Sequence, residues 1–227
     1  MREVLFLWVI FIFLATVSVS WASRPLATDD AGTVEQGATE MELSYDFVLD
    51  GDDGEEQAMG ASFKHGLTEV LDFGIACPCE VRPQQGLGAA EVGVKFSLLR
   101  EKEHIPALSI AFAYELGSPE YALNCIVTKG LRIFCIHLNL GYMAAGRVGE
   151  RGVTTYSGAV EFFADEKLVL VGEIVGETDT AEDNPLEVLS GARWQASDAL
   201  ALDLAVGAGL GDTRARWRFT TGLTFGF

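Results

Sequence analysis

Arg216-Trp217-Arg218-Phe219-Thr220-Thr221-Gly222-Leu223-Thr224-Phe225-Gly226-Phe227 closes the chain, and its reading decides the fold. Trp217, Phe219, Leu223, Phe225 and Phe227 share one parity with Thr221. Arg216, Arg218, Thr220, Gly222, Thr224 and Gly226 share the other. Successive side chains of a β-strand point to opposite faces, so this strand has an aromatic face and a polar or small one. A soluble sheet buries such an apolar face against a second layer. A transmembrane β-barrel turns it to lipid.

The same alternation runs back through the chain. Met41, Leu43, Tyr45, Phe47 and Leu49 oppose Glu40, Glu42, Ser44 and Asp46. Leu71, Phe73, Ile75 and Cys77 oppose Asp72, Gly74 and Ala76, and Val92, Val94, Phe96 and Leu98 oppose Glu91, Gly93, Lys95 and Ser97. Phe134, Ile136, Leu138, Leu140 and Tyr142 oppose Cys135, His137, Asn139 and Gly141. About twelve segments of about ten residues follow this rule, the length of a tilted membrane-spanning strand. Short turns at His65–Thr68, Lys129–Gly130, Asp165–Glu166 and Ser197–Asp198 alternate with longer polar loops at Asp50–Glu56, Pro78–Gly88, Ala145–Gly152 and Thr178–Pro185. Outer-membrane barrels sort their connections this way, with short periplasmic turns and long outside loops. The expected fold is therefore all-β: a transmembrane antiparallel up-and-down β-barrel of about twelve strands. An even strand count puts both termini in the periplasm, and the closing strand meets Met41–Leu49. Contacts with outer-membrane lipid and lipopolysaccharide follow from that placement, as does delivery by the barrel assembly machinery through the C-terminal strand.

The front of the chain fits an exported protein of a Gram-negative cell. An apolar run from Val4 to Val17 leads to Ser20 and Ala22, small residues placed for cleavage before Ser23. Residues 1–22 read as a signal peptide, 23–38 as an N-terminal arm and 39–227 as the barrel. The arm lacks strand alternation and carries turn chemistry at Thr28–Asp30 and Gly32. It is expected either to plug the lumen or to cap the barrel from the periplasm. Acids outnumber bases by 33 to 16, a net charge of −17. That balance argues against nucleic acid as a partner, because phosphate contacts need Lys and Arg.

Cys77 and Cys79 flank Pro78, while Cys125 and Cys135 straddle an expected turn and are candidates for a hairpin disulfide; free thiols are the alternative. No cysteine or histidine cluster has zinc-ligand spacing, so neither a metal nor a cofactor is expected.

The polar parity is the candidate lumen lining. Its acids include Glu91, Glu115, Glu161, Glu173 and Asp203; Lys95, Arg193, Arg218, His137 and Asn139 complete the set. Such groups either pair across strands to fill a narrow barrel or select a small solute. Catalysis finds little support. His137 and Asn139 share a face, but no serine is tied to them by spacing, so a barrel hydrolase ranks third. A passive channel for small, hydrophobic or aromatic solutes ranks first, and a closed structural or surface-interaction barrel second.

Three stretches carry a resemblance. They are Arg24-Pro25-Leu26-Ala27-Thr28-Asp29-Asp30-Ala31-Gly32-Thr33-Val34-Glu35, then Gly66-Leu67-Thr68 ahead of a strand, and His137-Leu138-Asn139-Leu140-Gly141-Tyr142. With Ser190-Gly191-Ala192-Arg193-Trp194 and the closing strand, they resemble the outer-membrane proteins named for the MetA pathway of phenol degradation. The resemblance spans nearly the whole mature chain and is most specific in the arm. It implies a transporter-like barrel linked to uptake of aromatic or other hydrophobic compounds. It supplies no agreed set of binding residues, and the Cys77-Pro78-Cys79 stretch is not part of its pattern.

Overall fold

The computed structural model describes residues 24–50, 54–83, 85–147, 152–178, 186–210 and 216–227; the expected signal peptide lies outside them. Thirteen strands follow in chain order: β1 (Thr39–Asp50), β2 (Gly54–Thr68), β3 (Leu71–Arg82), β4 (Gly86–Leu87), β5 (Glu91–Leu99), β6 (Ala107–Glu115), β7 (Tyr121–Leu131), β8 (Phe134–Ala144), β9 (Val153–Phe163), β10 (Leu168–Thr178), β11 (Leu186–Ser197), β12 (Leu200–Leu210) and β13 (Arg216–Gly226). β4 has two residues and only extends the edge of β3. The other twelve form a closed antiparallel barrel, each paired with its sequence neighbours and with β13 returning to β1.

Closure follows the alternation of the last strand. Leu43 stands opposite Leu223 and Phe47 opposite Phe219 across the β1–β13 seam. Thr39 and Phe227 exchange backbone hydrogen bonds at 2.6 and 2.9 Å, which fastens the two ends of the barrel. Among the described residues the twelve-stranded barrel leaves no open seam for another chain to pair with. These ends lie at the turn end of the barrel, where the short connections gather. The longer loops gather at the opposite, loop end.

The polarity is that of a soluble barrel turned inside out. Outward side chains are apolar and open to the surroundings: Leu140 is 60% exposed, Leu204 65% and Trp217 48%. Inward side chains are polar and buried: His137 and Arg193 are 4% exposed and Asp203 5%. A barrel in water places its apolar parity inside, whereas a barrel in lipid carries an outward apolar band around a polar interior.

Several boundaries differ from the sequence reading, for local reasons. His65–Thr68 is strand, and the turn is Glu69–Val70, with Thr68 opposite Leu71. Gly66 is there because the arm passes close by: a Cβ at this position would lie 2.0 Å from the Glu35 carbonyl oxygen. Lys129–Gly130 also stays in the ladder, opposite Ile136 and Cys135, and Arg132–Ile133 turns the hairpin. The turn after β11 falls at Asp198–Ala199, one residue later than Ser197–Asp198. Glu55 and Glu56 pair with Leu49 and Val48, and Pro78–Arg82 prolongs β3. The hairpin β2–β3 thus runs on into stretches whose composition reads as loop.

The β7–β8 ladder rules out the hairpin disulfide. Cys125 stands opposite Leu140 on the outward face, whereas Cys135 stands opposite Gly130 on the inward face. The barrel wall separates them. All four cysteines are free.

Candidate functional site: the lumen and its arm

The lumen wall is built from the polar parity of twelve strands, and residues 24–38 follow its inner surface. Arg24 starts at β12 and β13. Its guanidinium donates to Asp203 at 3.3 Å, to Thr220 Oγ1 at 2.9 Å and to the Thr221 carbonyl at 3.2 Å. Gly222 leaves the space for it, since a Cβ there would sit 2.4 Å from Arg24 Nε. The Arg24 carbonyl accepts from Arg193 at 3.1 Å, and Arg193 also pairs with Glu161 at 2.8 Å.

Ahead of its bridge from Gln36 to Gly66 the arm has no strand beside it, yet its backbone groups need hydrogen bonds once buried. Wall side chains supply them. Glu173 on β10 accepts from the amides of Ala27, at 3.0 Å, and Thr28. Asn139 on β8 accepts from the Asp29 amide at 2.8 Å and donates to the Asp29 carbonyl at 3.0 Å, as a neighbouring strand would. Thr128 accepts from the Ala31 amide and Ser109 donates to the Ala31 carbonyl, at 2.8 and 2.6 Å. Asp72 accepts from Val34 at 3.0 Å. Lys95 on β5 reaches Asp29 Oδ1 at 3.0 Å and the Asp30 carbonyl at 3.1 Å. Leu26 adds an apolar anchor, packed among Ala159, Val169, Val171, Leu189 and Ala205.

The arm therefore travels round the inside of the wall, from β12 past β10, β8, β6 and β3 to β2, before it becomes β1. Gly37 and Ala38 close the circuit with backbone bonds to Gly66. Between the arm and the turn end lies a cavity of about 930 Å³, with Lys64, Asp72, Lys95, His137 and Glu161 in its walls.

The ten residues of the polar parity divide into three groups. Glu173, Asn139, Lys95, Asp203 and Arg193 hold the arm directly. His137 and Glu161 stand behind them, with His137 Nδ1 3.0 Å from Thr128 Oγ1 and Nε2 4.0 Å from Glu161. Glu91, Glu115 and Arg218 lie nearer the loop end. Arg218 bonds Asp46 at 2.8 Å and reaches Glu187 at 3.5 Å. Ser109, Thr128 and Thr220 have the same inward parity, but their small side chains gave no sign of the task. The hydroxyl that reaches His137 belongs to a threonine already engaged by the arm, so the geometry assembles no serine–histidine pair around it.

Solved structures share this architecture. An outer membrane channel from Pseudomonas putida superposes with a TM-score of 0.64 at 11% identity, covering 89% of this chain and 100% of that one. The NanC porin gives 0.62 at 7% identity over 82% of this chain and 98% of the other. Its fold is that of the outer-membrane channel barrels. A third, the CymD monoaromatic hydrocarbon channel, gives 0.54 at 8% identity over 85% and 88% of the two chains. In sequence, no family model matches this chain, and no curated protein matches it either.

Proposed function

We propose that this chain is an outer-membrane passive channel for small solutes, occluded by its own N-terminal arm. The observation that carries the reading is the ring of wall side chains bonding the backbone of residues 24–34 inside a polar lumen. A purely structural barrel has no need of a separate segment there, because cross-strand pairs fill a narrow interior unaided. In this reading residues 1–22 are removed on export, the apolar outer face meets lipid and lipopolysaccharide, and both termini are periplasmic. The C-terminal strand is the segment offered to the barrel assembly machinery.

Kinship with the family named for the MetA pathway of phenol degradation would make the solutes aromatic or hydrophobic. The arm sequence supports that kinship, and the fold shared with a monoaromatic hydrocarbon channel is compatible with it. The lumen offers such a cargo one apolar stretch, around Leu26 and Phe163. Most of its wall is polar or charged, so we take small solutes as the cargo and treat an aromatic preference as the family's contribution.

Planar-bilayer recording tests the reading, comparing the full barrel with one lacking residues 24–35. We expect brief or small conductance from the first and a sustained, larger one from the second. An arm-deleted barrel that folds but stays electrically silent would favour a closed structural barrel.

A further inference from the structure

One motif takes no part in the lumen: Cys77-Pro78-Cys79, on the part of β3 that runs beyond its ladder with β5. Both cysteines continue the outward parity of Leu71, Phe73 and Ile75. Met59 on β2 stands opposite Cys79 in register and is 52% exposed, and Ala61 stands opposite Cys77. Directly opposed side chains have Cβ atoms about 4.5–5.5 Å apart, and diagonal neighbours are within reach of long side chains. Three sulfur atoms therefore share one small outward patch. Glu80 follows at once, and the exposed ion pair of Arg82 with Glu55, at 3.3 Å, marks the loop-end rim just beyond. The patch lies where ions from the medium can reach it.

Pro78 holds this geometry. Its ring fixes its own φ and confines Cys77 to extended conformations. Two residues of extended strand set the cysteine Cα atoms about 6.8 Å apart, the outer limit for a disulfide. Both are accordingly free thiols. The Gly88 amide donates to the Pro78 carbonyl at 2.9 Å, and Leu87 pairs with Cys79. β2, β3 and β4 thus form a platform under the sulfurs. Thiolates and a thioether select soft ions. Zinc favours four nitrogen or sulfur ligands, and among the described residues no group of three His, Cys, Asp or Glu could hold a metal ion. We infer that Cys77, Cys79 and Met59 form a surface site for a soft monovalent metal ion, copper(I), held between two thiolates and one thioether. The ion enters already monovalent, so no electron moves. The two thiols release their protons to the medium as the copper–sulfur bonds form. The inference stands independently of the channel reading.

Anaerobic titration of the folded full barrel with copper(I), against a coloured copper(I) chelator, tests it. The parent carries Cys125→Ser and Cys135→Ser, so that only the two cysteines of the patch remain. It should retain one copper ion per barrel, and a tenfold excess of zinc should not displace it. Adding Cys77→Ser and Cys79→Ser should abolish retention. Met59→Leu should weaken it by about tenfold or more, since even groups behind a metal's ligands carry that much. All these side chains are on the outer surface, so each variant should fold, which heat-shifted mobility on a gel checks. No retained copper in the parent, undiminished retention in either folded variant, or displacement by zinc would each overturn the inference. So would a parent whose mass shows Cys77 and Cys79 already joined as a disulfide.

Discussion

Arg24 makes the most bonds of the first described residues of the arm. Its guanidinium spans Asp203, Thr220 and a backbone carbonyl, and its own carbonyl is held by Arg193. Hydrogen bonds to charged groups contribute about 1.5–3 kcal/mol each, with the lower figure apt here because Arg24 keeps some solvent exposure. Arg24→Ala should therefore raise the population of undocked arm by about 10-fold or more. Single-channel recording would show this as a longer open time at unchanged open amplitude. An unchanged open fraction would mean that Leu26 and Glu173 hold the arm without it. The parity of the strands made Glu173, Asn139 and Asp203 legible as lumen lining. Their true partner was not legible, because a sequence does not say which backbone amides lack a sheet neighbour. Ser109 and Thr128 went unnoticed for a related reason: a hydroxyl on an inward strand position looks the same whether it meets water or a plug.

At the scale of elements, alternation proved a better guide than turn chemistry. The period of two fixed the face of nearly every strand, since lipid and lumen impose opposite demands on adjacent side chains. Glycine misled at Gly66 and Gly130. The first allows the arm to approach and the second stays within the ladder, where its amide bonds Glu101 at 3.0 Å. The pairing of Cys125 with Cys135 fails on that same parity, because either turn position sets them on opposite sides of the wall. The closing strand fared differently, because its partner was deducible from the even count. Removing Phe225–Phe227 deletes the reciprocal bonds between Thr39 and Phe227 and the pairings of Met41 and Glu40 with Phe225 and Gly226. The open β1 edge would then expose unsatisfied backbone groups at membrane depth, each costing several kcal/mol. The truncated chain should accumulate as protease-sensitive periplasmic protein. A heat-modifiable barrel recovered from the outer membrane after that deletion would show that β1 and β13 close without their last pairs.

The whole molecule is decided by which way its apolar parity faces. Dispersed over twelve strands, that apolar surface gives no long hydrophobic run, and no helix among the described residues is long and apolar enough to cross a membrane. The strands do that work instead, and their outward band makes a quantitative demand. Leu204 lies mid-way along β12 with 65% of its surface exposed, while Ser157, mid-way along β9, has the inward parity of Glu161. In water an exposed leucine tolerates arginine within about 0.5 kcal/mol. At the midplane of a bilayer the same change costs about 2–4 kcal/mol. Leu204→Arg should therefore lower the stability of the barrel in vesicles by that larger amount, read from urea unfolding. Ser157→Arg, on the inward parity two residues from the position opposite Glu177, stays out of lipid and should cost far less. Equal and small effects at both positions would mean that the apolar face of this barrel does not meet lipid, whatever its fold.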